Sequence, residues 1–586
     1  MPEPTSVLPS DNVRLPRRLE GFASLPLALD YAAKGETGFD FYDVRANRIA
    51  SLPYAELRER AQAAARGMVQ AGWPAGSRFL LVADTTPDII TLFLACQYAS
   101  IVPVPVALPA GLGGKEAYVA TLRRQLEHSG AIAAAAPAEL VGFLNEAAEG
   151  LDLQAGAPEA FLSLPRDAAD LRPFGPHDLC YLQYSSGSTR FPKGIRVTQK
   201  ALAANATGIA RDGLQVRPGD RCASWLPLYH DMGLVGFMLV PLFSQLTVDF
   251  LPTREFARRP RVWLQMISRN RGTLAFSPSF GFDLCVRGVP AEVAAELDLS
   301  SWRAAGIGGD MIQAPILERF ADTFGPRGFR AQAFVPSYGM AEATLALTFA
   351  PLDRGIEADV LVRSDLADRG VATAAAERTP AEERVTFVRC GRILPGHELE
   401  VRDETGAILP EGRVGRIFVR GPSVTDGYHD EPDVTAEVIQ DGWLDTGDLG
   451  FLRDGAVTIT GRAKDLIIVN GRNVWPHDVE WSVEQLPGLR RGDVAAFQLD
   501  GADGPGDIVL LIQCRLGDED ARSELERGAK RLAQQTAAID AQVVLVPPHG
   551  LPRTSSGKLS RVRAKANFVG GVYASGAPDR AAAGKR

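Results

Sequence analysis

The sequence predicts an α/β protein with two parts: a large N-terminal domain of sheets covered by helices, and a small α+β C-terminal domain. Three observations carry this. The chain has 586 residues, well beyond the roughly 250 to 300 at which a single core stops growing. Short apolar runs alternate with helical stretches as far as about residue 460, the signature of parallel sheets with helical crossovers. Beyond that point short strands alternate with two helices at closer spacing.

From Ser77, "SRFLLVAD" reads as a strand, "TTPDIITLFLACQYAS" as a helix and "IVPVPVAL" as a second strand. Thr86 is placed to cap the helix, with Pro87 in its first turn. The same alternation returns in "GAIAAAAPAELVGFLNEA" and in "CASWLPLYHDMGLVGFMLVPLFSQLTVDFL". Ligands of such sheets bind beyond the carboxyl ends of the strands. A polar, Ala-rich segment between Thr344 and Gly391 interrupts the pattern, and interruptions of that length are either functional or loosely ordered. After residue 460 the text predicts a hairpin around "GAVTITGRAKDLIIVNG" and a helix from near Pro476. Strands at "DVAAFQLD" and "DIVLLIQCRL", the amphipathic helix "DARSELERGAKRLAQQTAAI" and the strand "AQVVLVP" follow. The expected domains are residues 1–460 and 461–568, with 569–586 as a frayed, disordered tail.

Composition narrows the function. With 46% hydrophobic and 23% charged residues the chain is that of an ordinary globular protein. A net charge of −8 argues against a nucleic-acid surface, which needs clustered Lys and Arg. The six cysteines have no CxxC spacing, as expected of buried, reduced thiols and of a cytoplasmic protein. The N-terminus lacks a signal-peptide core, and "GLVGFMLVPLF" is too short and Pro-interrupted to span a bilayer.

The segment "YLQYSSGSTRFPKGI" from Tyr181 is the first with chemical content. Ser185, Ser186, Gly187, Ser188, Thr189, Arg190 and Lys193 supply hydroxyls, amides and cations, the inventory that polyphosphate oxygens need. Taken alone, such composition favours a surface Ser/Gly linker. Six further stretches bear on the choice: "WLPLYHDMGLVG", "AGIGGDMI", "PSYGMAEAT", "WLDTGDLG", "GRAKDLIIVNGRNVWPHDVE" and "LPRTSSGKLSR". The last is no P-loop, because its first glycine lies too far from the Gly-Lys pair and Leu559 replaces the required Ser or Thr.

In this order the seven stretches resemble the adenylate-forming superfamily of acyl-CoA synthetases, adenylation domains and luciferases, over nearly the whole chain. The resemblance implies that a carboxylate is joined to ATP, giving acyl-AMP and pyrophosphate, with Mg2+ as cofactor and ATP as co-substrate. It assigns Ser185 to Lys193 to the departing phosphates. Tyr338, within Tyr338, Gly339 and Met340, becomes the adenine platform, with Gly308, Gly309 and Asp310 as the opposite wall. Glu342 becomes the magnesium ligand, Asp448 the ribose acceptor assisted by Arg462, and Lys558 the cation that meets the reacting carboxylate and α-phosphate. His230 falls at the mouth of the acyl tunnel. A His230–Asp231 catalytic dyad is not expected, since neighbours on a helix or strand do not face one another and no GxSxG elbow accompanies them.

Several details look more like fatty acyl-AMP ligases than CoA-forming relatives: Arg190 in "SGSTRFPKG", the "WLPLYHDMGLVG" run, and "GRNVWPHDVE" with Pro476. The segment at about 350–388 sits where those ligases carry an insertion that hampers transfer to CoA. Lys464 falls at the superfamily's hinge, so the resemblance implies that the small C-terminal domain is mobile. "GGDMI" departs from the Glu-Pro pair associated with the ligase group, leaving Asp310 the least secure of the adenine contacts. The resemblance implies as partners a fatty acid and a separate phosphopantetheinylated acyl carrier protein in polyketide or lipopeptide synthesis. A fatty acyl-CoA synthetase and a catalytically silent adenylate-binding module are the alternatives.

Overall fold

A computed structural model describes residues 15–109, 114–166, 169–185, 192–469, 472–501, 504–554 and 557–573. Its largest element is a nine-stranded sheet. The strands Gly38–Tyr42, Thr247–Phe250, Arg221–Ser224, Leu274–Ser277, Ala304–Ile307 and Phe334–Gly339 run parallel through its centre. Antiparallel strands close the edges, Arg48–Pro53 on one side and Ala346–Phe349 with Arg392–Ile393 on the other. A four-stranded parallel sheet of Val102–Val106, Arg78–Val82, Ala131–Ala135 and Gln154–Gly156 lies beside it. The helix Pro87–Ala99 is buried along nearly its whole length, which explains why it reads as continuously apolar. Thr86 caps it as expected, its hydroxyl accepting from the Ile89 N–H at 3.4 Å.

A five-stranded sheet follows, including Glu398–Arg402, Gly415–Arg420, Trp443–Arg453 and Ala456–Arg462. Here one expectation is corrected: the strands within 455–471 do not pair with each other. Ala456–Arg462 folds back on Trp443–Arg453 through Asp454 and Gly455, which have φ of +53° and +71°, the backbone that a tight hairpin turn requires. Ile467–Val469 pairs forward with Arg472–Val474. Two further points depart from the sequence reading. A helix spans Arg561–Val569 where none is expected. Residues 569–573, expected to belong to a frayed tail, are held in place, the Tyr573 hydroxyl donating to the Gly550 carbonyl at 3.1 Å. The other C-terminal elements match. The helices Pro476–Val483 and Glu519–Ala537 pack on a sheet of Val494–Gly501, Gly504–Gln513 and Ala541–Val546.

The Ala-rich interruption is ordered. Ala358–Val362 and Arg384–Val388 form an antiparallel pair, with the helix Arg363–Arg369 between them. Its Leu361, Leu366 and Phe387 form one apolar cluster with Trp475. Arg363 Nη1 also meets Asp478 Oδ2 at 2.7 Å, and Arg472 Nε meets Asp368 Oδ1 at 2.5 Å. The segment therefore grips the C-terminal elements by both apolar and ionic contacts. All six cysteines are free and buried. Among the described residues, no helix is long and apolar enough to cross a membrane.

Candidate active site

The phosphate-loop segment closes a hairpin. Leu179–Tyr184 pairs with Gly194–Thr198, and the loop's two ends are tied by the Ser185 N–H donating to the Lys193 carbonyl at 2.9 Å and the Lys193 N–H donating to Ser185 Oγ at 3.1 Å. Ser186, Gly187, Ser188, Thr189 and Arg190 lie outside the described residues. The hairpin is extended by a second segment: the Arg196 N–H donates to the Gly427 carbonyl, and the His429 N–H to the Gly194 carbonyl at 2.7 Å.

The parallel strands deliver the next group at their carboxyl ends, as the fold requires. Gly308, Gly309 and Asp310 follow Ala304–Ile307, while Tyr338 and Gly339 end Phe334–Gly339 and lead through Met340 to Glu342 in the turn Ala341–Ala343. Gly309 has φ +80°, and a Cβ there would stand 3.6 Å from Lys558 Nζ. The positive φ is what favours glycine there, and the lysine comes within ordinary contact distance of that backbone. Asp310 accepts from the Ser279 N–H and Oγ at 3.3 and 3.2 Å, so its carboxylate is partly engaged with the protein itself. Burial raises its carboxyl, opposed by Arg491 and Lys558.

Asp448 and Arg462 are cross-strand partners, with Arg462 Nε 3.4 Å from Asp448 Oδ1. The Tyr338 hydroxyl donates to Asp448 Oδ2 at 2.7 Å. Burial raises the Asp448 carboxyl, and Arg462 and Tyr338 pull it back. Tyr338→Phe removes that donor; since hydrogen bonds to charged groups are worth about 1.5–3 kcal/mol, nucleotide affinity should fall about tenfold or more. Titration calorimetry with ATP checks this, and an unchanged affinity would remove Asp448 from nucleotide binding.

Lys558 stands in a tight turn before the helix Arg561–Val569. The Thr554 N–H donates to the Lys558 carbonyl at 2.7 Å, and the Lys558 N–H to Thr554 Oγ1 at 3.2 Å. The turn is anchored behind by Arg561, which binds Glu480 and Asp465. Burial lowers the Lys558 ammonium, while Asp231 and Asp310 favour its charge. Lys464, in the turn Ala463–Asp465, is also lowered by burial and then by Arg462.

His230 and Asp231 meet after all, with Nδ1 and Oδ1 2.5 Å apart. The neighbour argument assumed regular structure, whereas His230 is an extended cap residue (φ −111°, ψ 142°) and Asp231 opens a short helical turn. Burial alone would raise Asp231, but His230, Lys558 and the Met232 N–H together hold it below its ordinary value. Asp231 is thus a site carboxylate that the sequence did not single out; only its adjacency to His230 in "YHDMG" signalled it. The same holds for Tyr428, whose hydroxyl donates to Glu342 Oε1 at 3.0 Å.

Two cavities of about 460 and 540 Å³ meet at a common wall of Gly309, Ser337, Tyr338, Gly339, Arg462 and Lys558. The first, between the large sheet and the C-terminal elements, carries Asp310, Asp448, Glu484 and Arg491. The second is lined by Ser185, His230, Asp231, Glu342 and Lys464 and also by Phe276, Leu345 and Phe349. A charged centre therefore opens onto an apolar recess, which suits a substrate with an anionic head and a hydrocarbon tail.

A family model described as AMP-binding enzyme matches residues 34–429. A Caulobacter vibrioides protein provisionally named an acyl-CoA synthetase is 48% identical over 95% of this chain and 97% of its own. A medium-chain-fatty-acid–[acyl-carrier-protein] ligase of Moorena producens is 32% identical over 94% and 96%. A solved structure from a study of fatty acyl-adenylate ligases of E. coli and L. pneumophila superposes with a TM-score of 0.91 at 43% identity, covering 96% of this chain and all of that one.

Proposed function

We propose, for a chain that belongs to the AMP-binding enzyme family, that it is a fatty acyl-AMP ligase. The observation that carries this reading is the convergence of Lys558, Tyr338, Arg462 and Gly309 on the wall between a nucleotide-sized cavity and one with an apolar recess. The solved fatty acyl-adenylate ligase superposing over 96% of the chain supports it.

The fatty acid's carboxylate oxygen attacks the α-phosphorus of ATP, the bond to the β-phosphate bridging oxygen breaks, and pyrophosphate leaves with that electron pair. No side-chain nucleophile is needed; the protein positions the groups and balances charge. Lys558 faces both reacting anions from the Gly309 side. Asp231 and Asp310 keep the buried ammonium charged while being held in place by His230 and Ser279. Ser185 and Lys193 frame the loop for the β- and γ-phosphates, Tyr338 faces the adenine, and Asp448 with Arg462 takes the ribose hydroxyls. One carboxylate facing a polyphosphate is the donor set that magnesium accepts, and Glu342 supplies it at the cavity wall. The ion would neutralise phosphate charge.

The acyl group is then passed to a phosphopantetheine thiol on a separate acyl carrier protein. The Moorena producens relative is named for that transfer, and the segment 358–388 grips the C-terminal elements as a brake on their rotation would. In this division residues 1–460 form the adenylating domain and 461–568 a domain turning about Lys464. The 48% identical relative's name favours a second reading, an acyl-CoA synthetase. Mass spectrometry of products from ATP, Mg2+ and a ladder of fatty acids, with and without CoA, separates the two. Acyl-AMP that persists beside CoA is expected; abundant acyl-CoA would overturn the ligase reading.

A further inference from the structure

We infer that Tyr428 is a positioning residue for this reaction, coupling the carboxylate of Glu342 to the phosphate-loop cation Lys193. The inference rests on the adenylating role proposed above and goes beyond it, since Tyr428 belongs to none of the seven stretches that the sequence singled out.

The tyrosine has two separate contacts. Its hydroxyl donates to Glu342 Oε1 at 3.0 Å, and its ring lies under Lys193 Nζ, 5.2 Å from the centroid, within the range of a cation–π attraction. Its backbone is fixed by the two elements it couples. Tyr428 bridges to Ile195 as an added strand beside the phosphate-loop hairpin, and the neighbouring His429 N–H donates to Gly194. From the same segment, the Thr425 N–H donates to the Glu342 carbonyl at 2.7 Å. Residues 425–429 therefore fasten the hairpin base and the Glu342 turn together. Tyr428 adds a side-chain link at each end.

The geometry gives each half of the side chain a different task. The hydroxyl occupies one carboxylate oxygen of Glu342 and so fixes which oxygen faces the cavity. The ring holds Lys193 at the mouth of the loop instead of leaving its long side chain free in solvent. Positioning of this kind lowers the ordering cost of binding without adding a contact to the substrate.

Two substitutions separate the tasks. Tyr428→Phe keeps the ring and loses the hydroxyl. It should weaken Mn2+ binding to the complex with a non-hydrolysable ATP analogue, read by electron paramagnetic resonance, about tenfold or more, as loss of one hydrogen bond to a charged group would. Analogue affinity without metal should stay within twofold. Tyr428→Leu loses both contacts and should also weaken metal-free analogue binding, about threefold, the scale of an exposed cation–π contact. Wild-type affinities in both proteins, with only thermal stability lowered, would reduce Tyr428 to packing and overturn the inference. Wild-type protein that binds neither the analogue nor Mn2+ with it would instead overturn the adenylating reading itself.

Discussion

Replacing Lys558 by alanine should lower acyl-adenylate formation about 10²- to 10³-fold, the loss typical of one preorganised charge at the transition state, while ATP still binds. The reason lies in what surrounds the ammonium. Lys558 reaches to the backbone of Gly309, with Asp231 and Asp310 as its charged neighbours. Removing the cation leaves these carboxylates facing two incoming anions, so the damage falls on the chemical step more than on nucleotide binding. The pH dependence follows from burial. Because burial lowers the Lys558 ammonium, the cation is present at low pH and is lost as pH rises through a value below the usual lysine range. Adenylation should fall along that alkaline limb, and Lys558→Arg should move the limb upward, since guanidinium stays protonated. Pyrophosphate-exchange rates against pH test both points. Undiminished exchange in the alanine variant would remove Lys558 from the mechanism.

Freeing the C-terminal elements from the segment 358–388 should open transfer to CoA. The double variant R363M/F387A removes the partner of the buried Asp478 and a 2% exposed aromatic ring from the cluster around Trp475. Stranding a buried charge costs about 3–5 kcal/mol, and Phe→Ala in a core a similar amount. Even a third of that sum, about 2–3 kcal/mol, shifts a two-state equilibrium tenfold or more. Acyl-CoA formation should therefore rise at least about tenfold while acyl-AMP formation stays within about threefold. A folded variant that makes acyl-AMP and still ignores CoA would mean that these contacts are not what bars the thiol.

The sequence was most informative where structure is local. The capped helix at Thr86, the strand lead-in to the phosphate loop and the two expected C-terminal helices depend on neighbours within one turn or one strand, and all stand as read. The site's connections were illegible for the opposite reason. Tyr338 meets Asp448 across 110 positions and Glu342 meets Tyr428 across 86, and no periodicity records such pairings. The hairpin error near residue 460 has a similar origin. Both strands were visible, but the Asp454–Gly455 turn that sends the first of them back onto Trp443–Arg453 sits at the very start of that stretch, with its other strand outside it. His230 and Asp231 misled because a rule for regular elements was applied at a cap.

The burial of every cysteine also makes the proposed rotation of the C-terminal elements open to direct test. Burial raises the thiols of Cys96, Cys180, Cys222, Cys285 and Cys390, and maleimide dyes react with exposed thiolates. The native chain is therefore close to a silent background for labelling. Cysteines introduced at the exposed Glu292 of the large domain and the exposed Arg527 of the C-terminal helix would carry a donor–acceptor dye pair. No native cysteine would have to be removed, so single-molecule energy transfer would show whether the C-terminal elements turn as proposed, and a single unchanging distance through both half-reactions would overturn that rotation.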